Sequence, residues 1–111
     1  MDTSPLAQEI TELHAEICSA IADPRRILLL YAIAEKPRNV SDLAAHVGIS
    51  QPAASRHLKI LRERGLLSAE RCGTSVEYHL TDPRLIEALN LLRSVLRTRL
   101  AHHASIAESE Q

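Results

Sequence analysis

The sequence is almost without aromatic side chains: it has no Trp and no Phe, and Tyr31 and Tyr78 are its only tyrosines. Proteins that bind single-stranded nucleic acid usually stack the bases on aromatic rings, so this deficit argues against that class of partner. The deficit does not argue against duplex DNA as a partner, because proteins bind duplexes through helices and cationic side chains. We also find no convergent set of acid, base and nucleophile residues, and we predict that the protein is not an enzyme.

Membrane and export signals are also missing. No apolar run is long enough to cross a bilayer, and the first residues, Met1–Pro5, carry an acidic side chain instead of a basic signal-like one. We therefore predict a cytoplasmic protein with no membrane partner. The two cysteines, Cys18 and Cys72, form no CxxC pair, and in a reducing compartment we expect both to be free thiols.

The charge is nearly balanced over the 111 residues, at a formal net value of -1. Its distribution is uneven, because the stretch from Lys36 to His79 holds seven Lys and Arg against four Asp and Glu. A basic centre between acidic flanks favours a DNA-facing middle. The length predicts one domain, over residues 5–107, followed by a disordered tail at 108–111.

Helical spacing of apolar residues marks three segments outside that centre. The first runs from near Pro5 to about Ile21. The second begins where Asp23 can cap it and Pro24 can start it, and it is apolar nearly all round up to Glu35. The third follows Thr81–Pro83 and runs to about Ala107.

The first and last of these helices carry apolar stripes that one small domain cannot cover. A second copy of the chain is the simplest cover, which predicts a two-fold homodimer built on these helices. We expect the interface to include Leu6, Ile10, Leu13, Leu89, Leu92 and Leu96.

A helix with clear start and stop signals lies in the basic centre, from Ser50 to Gly65. Ser50 can cap it, Pro52 is tolerated in its first turn, and Gly65 can end it in a left-handed conformation. Its apolar edge is Leu58 and Leu61. Its other edge carries side chains that can donate to phosphates and bases: Gln51, Ser55, Arg56 and Lys59.

A second short amphipathic segment, Ser41–Val47, precedes this helix and is joined to it through Gly48. Two short helices around a tight turn that contains glycine are typical of a helix-turn-helix. After Gly65 the apolar period becomes alternating, in Leu66–Arg71 and Ser75–Leu80. This predicts a β-hairpin whose tip carries Arg71, Thr74 and Ser75. The predicted fold is thus mainly α, a winged helix-turn-helix of about five helices and a two-stranded wing.

Two motifs make a family resemblance specific: ADPRR at 22–26 and SQPAASRHLKILRERGLL at 50–67. With the order of elements, they make the chain resemble the ArsR/SmtB family of winged-helix repressors. The resemblance implies a homodimer that binds a palindromic operator and releases it when a metal ion, a metalloid or a reactive sulfur or oxygen species binds. A winged helix that only contacts other proteins is the alternative interpretation.

The resemblance also places individual residues. Gln51, Ser55 and Arg56 match the part of the recognition helix that meets the major groove, and Lys59 is expected to contact a phosphate. Three residues of the wing tip are expected to lie along the DNA backbone: Arg71, Thr74 and Ser75. His57 fits either a packed, hydrogen-bonded position or a DNA contact.

The sensor is not marked by the family's usual patterns. Val40–Ala45 has no thiol, and Asp82 is followed two residues later by Arg84 instead of His. His102 and His103 are only weak metal candidates, because adjacent helical residues point about a quarter turn apart. The residues predict no resident cofactor, and the resemblance implies a metal or metalloid ion as one class of inducer.

The remaining sensor candidates are the thiols. Cys18 is expected either as a small buried residue or as a sensor. Cys72 lies beside Arg71, a cation that could lower the pKa of its thiol. A bridge between the two cysteines within one chain is disfavoured by the topology, and one across the dimer stays open.

Overall fold

The computed structural model describes residues 4–109, and within that range it has five α-helices and one antiparallel hairpin. The predicted number of elements is confirmed. In chain order they are α1 (Pro5–Leu13), α2 (Pro24–Glu35), α3 (Val40–Val47), α4 (Gln51–Glu63), β1 (Leu67–Cys72), β2 (Ser75–Leu80) and α5 (Arg84–Ser109).

Side-chain caps begin α2 and α4 as predicted. Asp23 Oδ1 accepts a hydrogen bond of 2.8 Å from the Arg25 backbone N–H, at the start of α2. Hydrogen bonds from Arg25 lower the pKa of Asp23 to about 2. Ser50 Oγ accepts a bond of 3.2 Å from the Ala53 N–H, at the start of α4. Gly65, with φ +76°, follows α4 in the left-handed conformation that the sequence predicted.

The first helix is not regular throughout. It was predicted to run to about Ile21, but α1 ends at Leu13 and continues as a π-helical turn over His14–Cys18. In this turn the Ser19 N–H bonds to the His14 carbonyl five residues back, at 3.0 Å. α1 itself packs against no other helix or strand of the described chain, apart from the π turn that follows it.

The core is aliphatic and is built mainly by α2, α3 and α4. Five leucines are buried completely: Leu29, Leu30, Leu43, Leu58 and Leu61. The apolar edge predicted for α4, Leu58 and Leu61, is therefore confirmed. Tyr78 and Leu80 of the hairpin pack against the same core.

The hairpin turns through Gly73 and Thr74, and its register pairs Leu67 with Leu80 and Cys72 with Ser75. The Tyr78 N–H also bonds to the Arg38 carbonyl at 2.9 Å, which ties β2 to the loop before α3. β1 begins at Leu67, one residue later than predicted. The hairpin is thus fixed to the helical body through β2.

The last helix differs from the prediction in two respects. It reaches Ser109, so Glu108 and Ser109 belong to the helix and not to the predicted tail; Glu110 and Gln111 lie outside the described residues. Leu89, predicted at the dimer interface, is buried in the core of its own protomer. The reason is that the first turns of α5 pack on α2 before the helix leaves the body. Among residues 4–109, none of the helices has both the length and the apolar character to span a bilayer.

Candidate nucleic-acid interface

The turn between α3 and α4 sets the angle of the candidate recognition helix. Gly48 ends α3 with φ +80°, a conformation that side chains other than glycine rarely adopt. Gln51 Nε2, in the first turn of α4, donates a hydrogen bond to Ser41 Oγ, in the first turn of α3. The two helices of the helix-turn-helix are therefore joined at both the turn and their first residues.

One face of α4 is polar along its length. Gln51, Ser55, Lys59 and Arg62 are spaced by four, four and three residues, and all four side chains are exposed. Arg56 is also exposed, about a quarter turn from Ser55. The structure thus brings together the predicted groove residues of α4, and Arg62 shares their face. The sequence left Arg62 open between a DNA contact and a solvated helix face, and helical spacing alone places it beside the others.

A cleft of about 500 Å³ separates this face from the hairpin. Ser55, Lys59, Arg62 and Glu63 line its α4 wall, and Tyr78 of β2 lines the other. Lys59 Nζ lies 4.0 Å from Glu63 Oε1, a surface ion pair of small energetic value. The cleft therefore offers hydroxyl, ammonium and guanidinium donors between helix and wing, which suits a phosphate backbone.

The tip of the hairpin lies near the start of α3 instead of near α4. Thr74 and Ser75 line a second cleft, of about 390 Å³, together with Asn39, Val40 and Ser41. Ser41 was not among the predicted binding residues; its place follows from the bond between β2 and the loop before α3, which sequence patterns do not reveal. Arg71 is exposed on β1, opposite Val76.

The basic centre divides into structural and available cations. Arg38 donates to the Ala32 carbonyl at 3.1 Å and pairs with Glu35, so it stabilises the end of α2. Arg64 donates to the Ala15 carbonyl of the π turn and to the Oγ of Ser19, the residue after that turn. Three other arginines are exposed, and within residues 4–109 none of them forms an ion pair: Arg56, Arg62 and Arg71.

His57 takes the packed position, not the DNA-facing one. It is half-buried, and its Nδ1 lies 3.3 Å from Arg26 Nη1. Burial lowers the pKa of His57. A neutral ring can accept the hydrogen bond from the Arg26 guanidinium, so His57 links α2 to α4 inside the protomer.

The two thiols behave differently from expectation. Cys72 Sγ lies 3.5 Å from Glu77 Oε1, and loss of hydration together with the Glu77 carboxylate raises the pKa of Cys72. The expected lowering of the Cys72 pKa by Arg71 is therefore wrong: the pKa is raised, first by the loss of hydration and then by the Glu77 carboxylate. Cys18 is exposed in the π turn of one protomer, so its own chain does not bury the thiol.

Within the described range, no three His, Cys, Asp or Glu side chains are grouped in an arrangement that could hold a metal ion. His102 and His103, the weak metal candidates, are exposed with ring centroids 6.5 Å apart and ring planes nearly perpendicular. One protomer therefore presents these histidines as separate surface groups.

Comparisons with known proteins agree with this architecture. Residues 23–69, which span α2 to the start of the wing, match the model of the family described as "Bacterial regulatory protein, arsR family". The chain is 33% identical to the HTH-type transcriptional regulator NmtR of Mycobacterium tuberculosis over 88 residues, which cover 79% of this chain and 73% of NmtR. The chain belongs to the arsR family of bacterial regulatory proteins.

Two further similarities extend the comparison for this arsR-family chain. It is 39% identical to a probable mercury resistance operon repressor of Streptomyces lividans, over 71% of this chain and 63% of the length of that relative. The solution structure of a homodimeric winged helix-turn-helix DNA-binding domain from Mycobacterium bovis superposes with a TM-score of 0.77 at 27% identity, covering 90% of this chain and 93% of that one. The fold is therefore a winged helix-turn-helix, with α4 as its recognition helix and the hairpin as its wing.

Proposed function

We propose that the protein is a homodimeric, DNA-binding transcriptional repressor that releases its operator on sensing a chemical signal. The observation that carries the proposal is the exposed polar face of α4, with Arg56 and Arg62 free of ion pairs within residues 4–109. A helix that presents unpaired guanidinium groups beside short polar side chains is suited to reading a duplex. Family membership supports a regulator and not an enzyme.

In this proposal α4 lies in the major groove. Residues of its first two turns, Gln51, Ser55 and Arg56, contact base edges, because the N-terminal part of a recognition helix reaches the groove floor. Lys59 contacts a phosphate, and so do the wing residues Arg71, Thr74 and Ser75. The proposal is supported by two clefts that share Tyr78: Ser55 and Lys59 line one of them, and Thr74 and Ser75 line the other.

The dimer is supported by apolar surface that one protomer leaves uncovered. On α1 the exposed fractions are 68% for Leu6, 51% for Ile10 and 42% for Leu13; on α5 they are 59% for Leu92 and 49% for Leu96. α1 packs against no other element that the structure describes except the π turn. A helix with such a stripe would not remain isolated in water, and the relative from M. bovis is described as homodimeric.

Repression and chemical sensing are proposed from the relatives. The S. lividans relative is named a mercury resistance operon repressor, which supports a repressor whose operator is released by a metal or another reactive species. The inducer would act by favouring a dimer geometry in which the two recognition helices no longer match the operator. The protein would work in the cytoplasm, where the operator is reached.

A mobility shift with the DNA upstream of its own gene tests the proposal against the alternative of a protein-contact module. A DNA-binding dimer will slow the migration of the fragment at about 50 mM salt. Its affinity will fall steeply toward about 200 mM, because protein cations that contact the phosphates release counterions from the DNA. A module that contacts only proteins will not shift the fragment at either concentration. Absence of binding at the lower salt would refute the proposed function.

A further inference from the structure

The arm formed by α1 and its π turn is held to the body by an arginine from the recognition helix. Arg64 Nη1, just after α4, donates to the Ala15 carbonyl and to Ser19 Oγ, the latter at 3.1 Å. The same nitrogen lies 3.9 Å from Glu16 Oε2. All three partners belong to the π turn or to the residue that follows it.

A second arginine binds the same segment from α2. Arg26 donates through Nε to the Ala20 carbonyl and through Nη2 to the Ser19 carbonyl, the latter at 3.3 Å. Its third nitrogen, Nη1, lies 3.3 Å from Nδ1 of His57, in the middle of α4. The side chain of Arg26 is only 14% exposed, so its guanidinium contacts mainly groups of its own protomer.

We call α1, its π turn and the residues up to Ala20 the dimer arm. These contacts connect the dimer arm with the recognition helix at two separate points. One is the end of α4, through Arg64, and the other is its middle, through His57 and Arg26. A planar guanidinium with five fixed donors suits this task, because it can hold carbonyls and side chains from two elements in one geometry. Ile17, Ala20 and Ile21 also pack on the core, so apolar contacts and the arginine bonds together hold the segment after α1 to the body.

We propose that Arg64 and Arg26 are positioning residues for operator recognition: they fix the angle between the dimer arm and α4, and thereby the separation of the two recognition helices. The inference rests on the proposed function. In a two-fold dimer a change of this angle moves both recognition helices, whereas the half-sites of an operator stay about one helical turn apart. Neither arginine needs to touch DNA for its loss to reduce operator binding.

The test compares Arg64→Ala with Arg62→Ala, on operator DNA and on a scrambled duplex at several salt concentrations. For Arg64→Ala we expect operator affinity to fall tenfold or more, with unchanged affinity for scrambled DNA and an unchanged salt slope. For Arg62→Ala, which removes an exposed cation of the DNA face from each protomer, we expect both affinities to fall and the magnitude of the salt slope to decrease by about 1.8, because each lost phosphate contact contributes about 0.9. A slope that decreases equally for Arg64→Ala would make Arg64 a phosphate contact and overturn the inference.

A distance measurement gives a second readout that needs no DNA. A spin label on Ser55→Cys, in a chain that also carries Cys18→Ser and Cys72→Ser, reports the distance between the two recognition helices of the dimer. We expect Arg64→Ala to shift or broaden this distance distribution while sedimentation still shows a dimer. Unchanged distances and unchanged operator preference would overturn the inference.

A milder variant keeps the proposal testable if Arg64→Ala does not fold. The double variant Glu16→Gln, Ser19→Ala leaves the arginine in place and removes two of its partners; we expect the same changes at smaller size, and their complete absence would overturn the inference. Failure of the wild-type protein to bind DNA at low salt would instead refute the proposed function, and the spin-label distances would still report on the arm.

Discussion

Arg26 and His57 lie 3.3 Å apart, between the guanidinium Nη1 and the imidazole Nδ1, and join the first turn of α2 to the middle of the recognition helix. The contact requires a neutral imidazole, because a protonated ring has no acceptor to offer and repels the guanidinium. The charge state of one half-buried ring thus bears on the placement of α4.

We predict that folding stability decreases as the pH falls below the ordinary histidine pKa of 6.5. Burial lowers the pKa of His57 below its ordinary value of 6.5, helped by Arg25, Arg26 and Arg56 and opposed by Asp23. Below pH 6.5 the unfolded chain therefore binds the proton that the folded chain resists, and the equilibrium moves toward unfolding. Denaturant titrations at several pH values measure this decrease.

His57→Gln is the matched control for that titration, since glutamine can accept a hydrogen bond but does not titrate. We expect a weaker pH dependence for this variant than for the wild type. Asp23, with a pKa of about 2, changes the free energy of unfolding only in more acidic solution, so it does not contribute to the pH dependence assigned to His57. Parallel curves for the two proteins would show that His57 is not the group responsible.

Leu89 and Leu92 should respond differently to substitution, although both belong to the same stripe of α5. Leu89 is 4% exposed and Leu92 is 59% exposed in one protomer. Leu89→Ala should lower the free energy of unfolding by about 2–5 kcal/mol, since it empties a core position. Leu92→Glu should instead yield a folded monomer, which sedimentation equilibrium with circular dichroism would reveal. A dimer that survives Leu92→Glu would place the interface elsewhere.

Arg56→Ala should weaken operator binding by about 1–3 kcal/mol per half-site while the dimer stays intact, because the exposed guanidinium lies on the side of α4 that we propose faces the groove. Arg97→Ala is the matched control: it removes an exposed arginine of α5, away from α4 and the wing. Fluorescence anisotropy with labelled operator measures both variants. Equal losses for the two would mean that overall charge, and not the position of Arg56, sets the affinity.

Cys72 should react slowly with iodoacetamide near neutral pH, because its raised pKa leaves little thiolate. Glu77→Gln removes the carboxylate that lies 3.5 Å from the sulfur, and the pKa of Cys72 should fall toward its ordinary value. The alkylation rate of Cys72, followed by mass spectrometry with Cys18 as internal reference, should then increase. An unchanged rate would mean that Glu77 does not control the thiol.

The sequence predicts most of the DNA-binding half of the molecule, because the signals there are local. Asp23 and Ser50 cap helices through side chains within three residues, and Gly65 ends α4 through its own backbone freedom. The polar face of α4 follows from helical spacing alone. These features depend on residues close in the chain, which a pattern can show.

The remaining features depend on contacts between distant residues. The π turn accommodates Arg64, whose donor reaches the carbonyl of Ala15, 49 residues earlier. Cys72 meets Glu77 through the register of the hairpin, although Arg71 is nearer in sequence. The stripe on α5 could not show which leucines pack on α2 and which stay exposed, because both groups have the same spacing.

Footprinting of the wild-type protein on the upstream DNA tests the central claim, that two recognition helices bind one operator as a pair. We predict two protected segments on the same face of the duplex, centred about 10 base pairs or a small multiple of that apart and related by two-fold symmetry. Protection of a single unpaired segment, or no protection at low salt, would contradict the account.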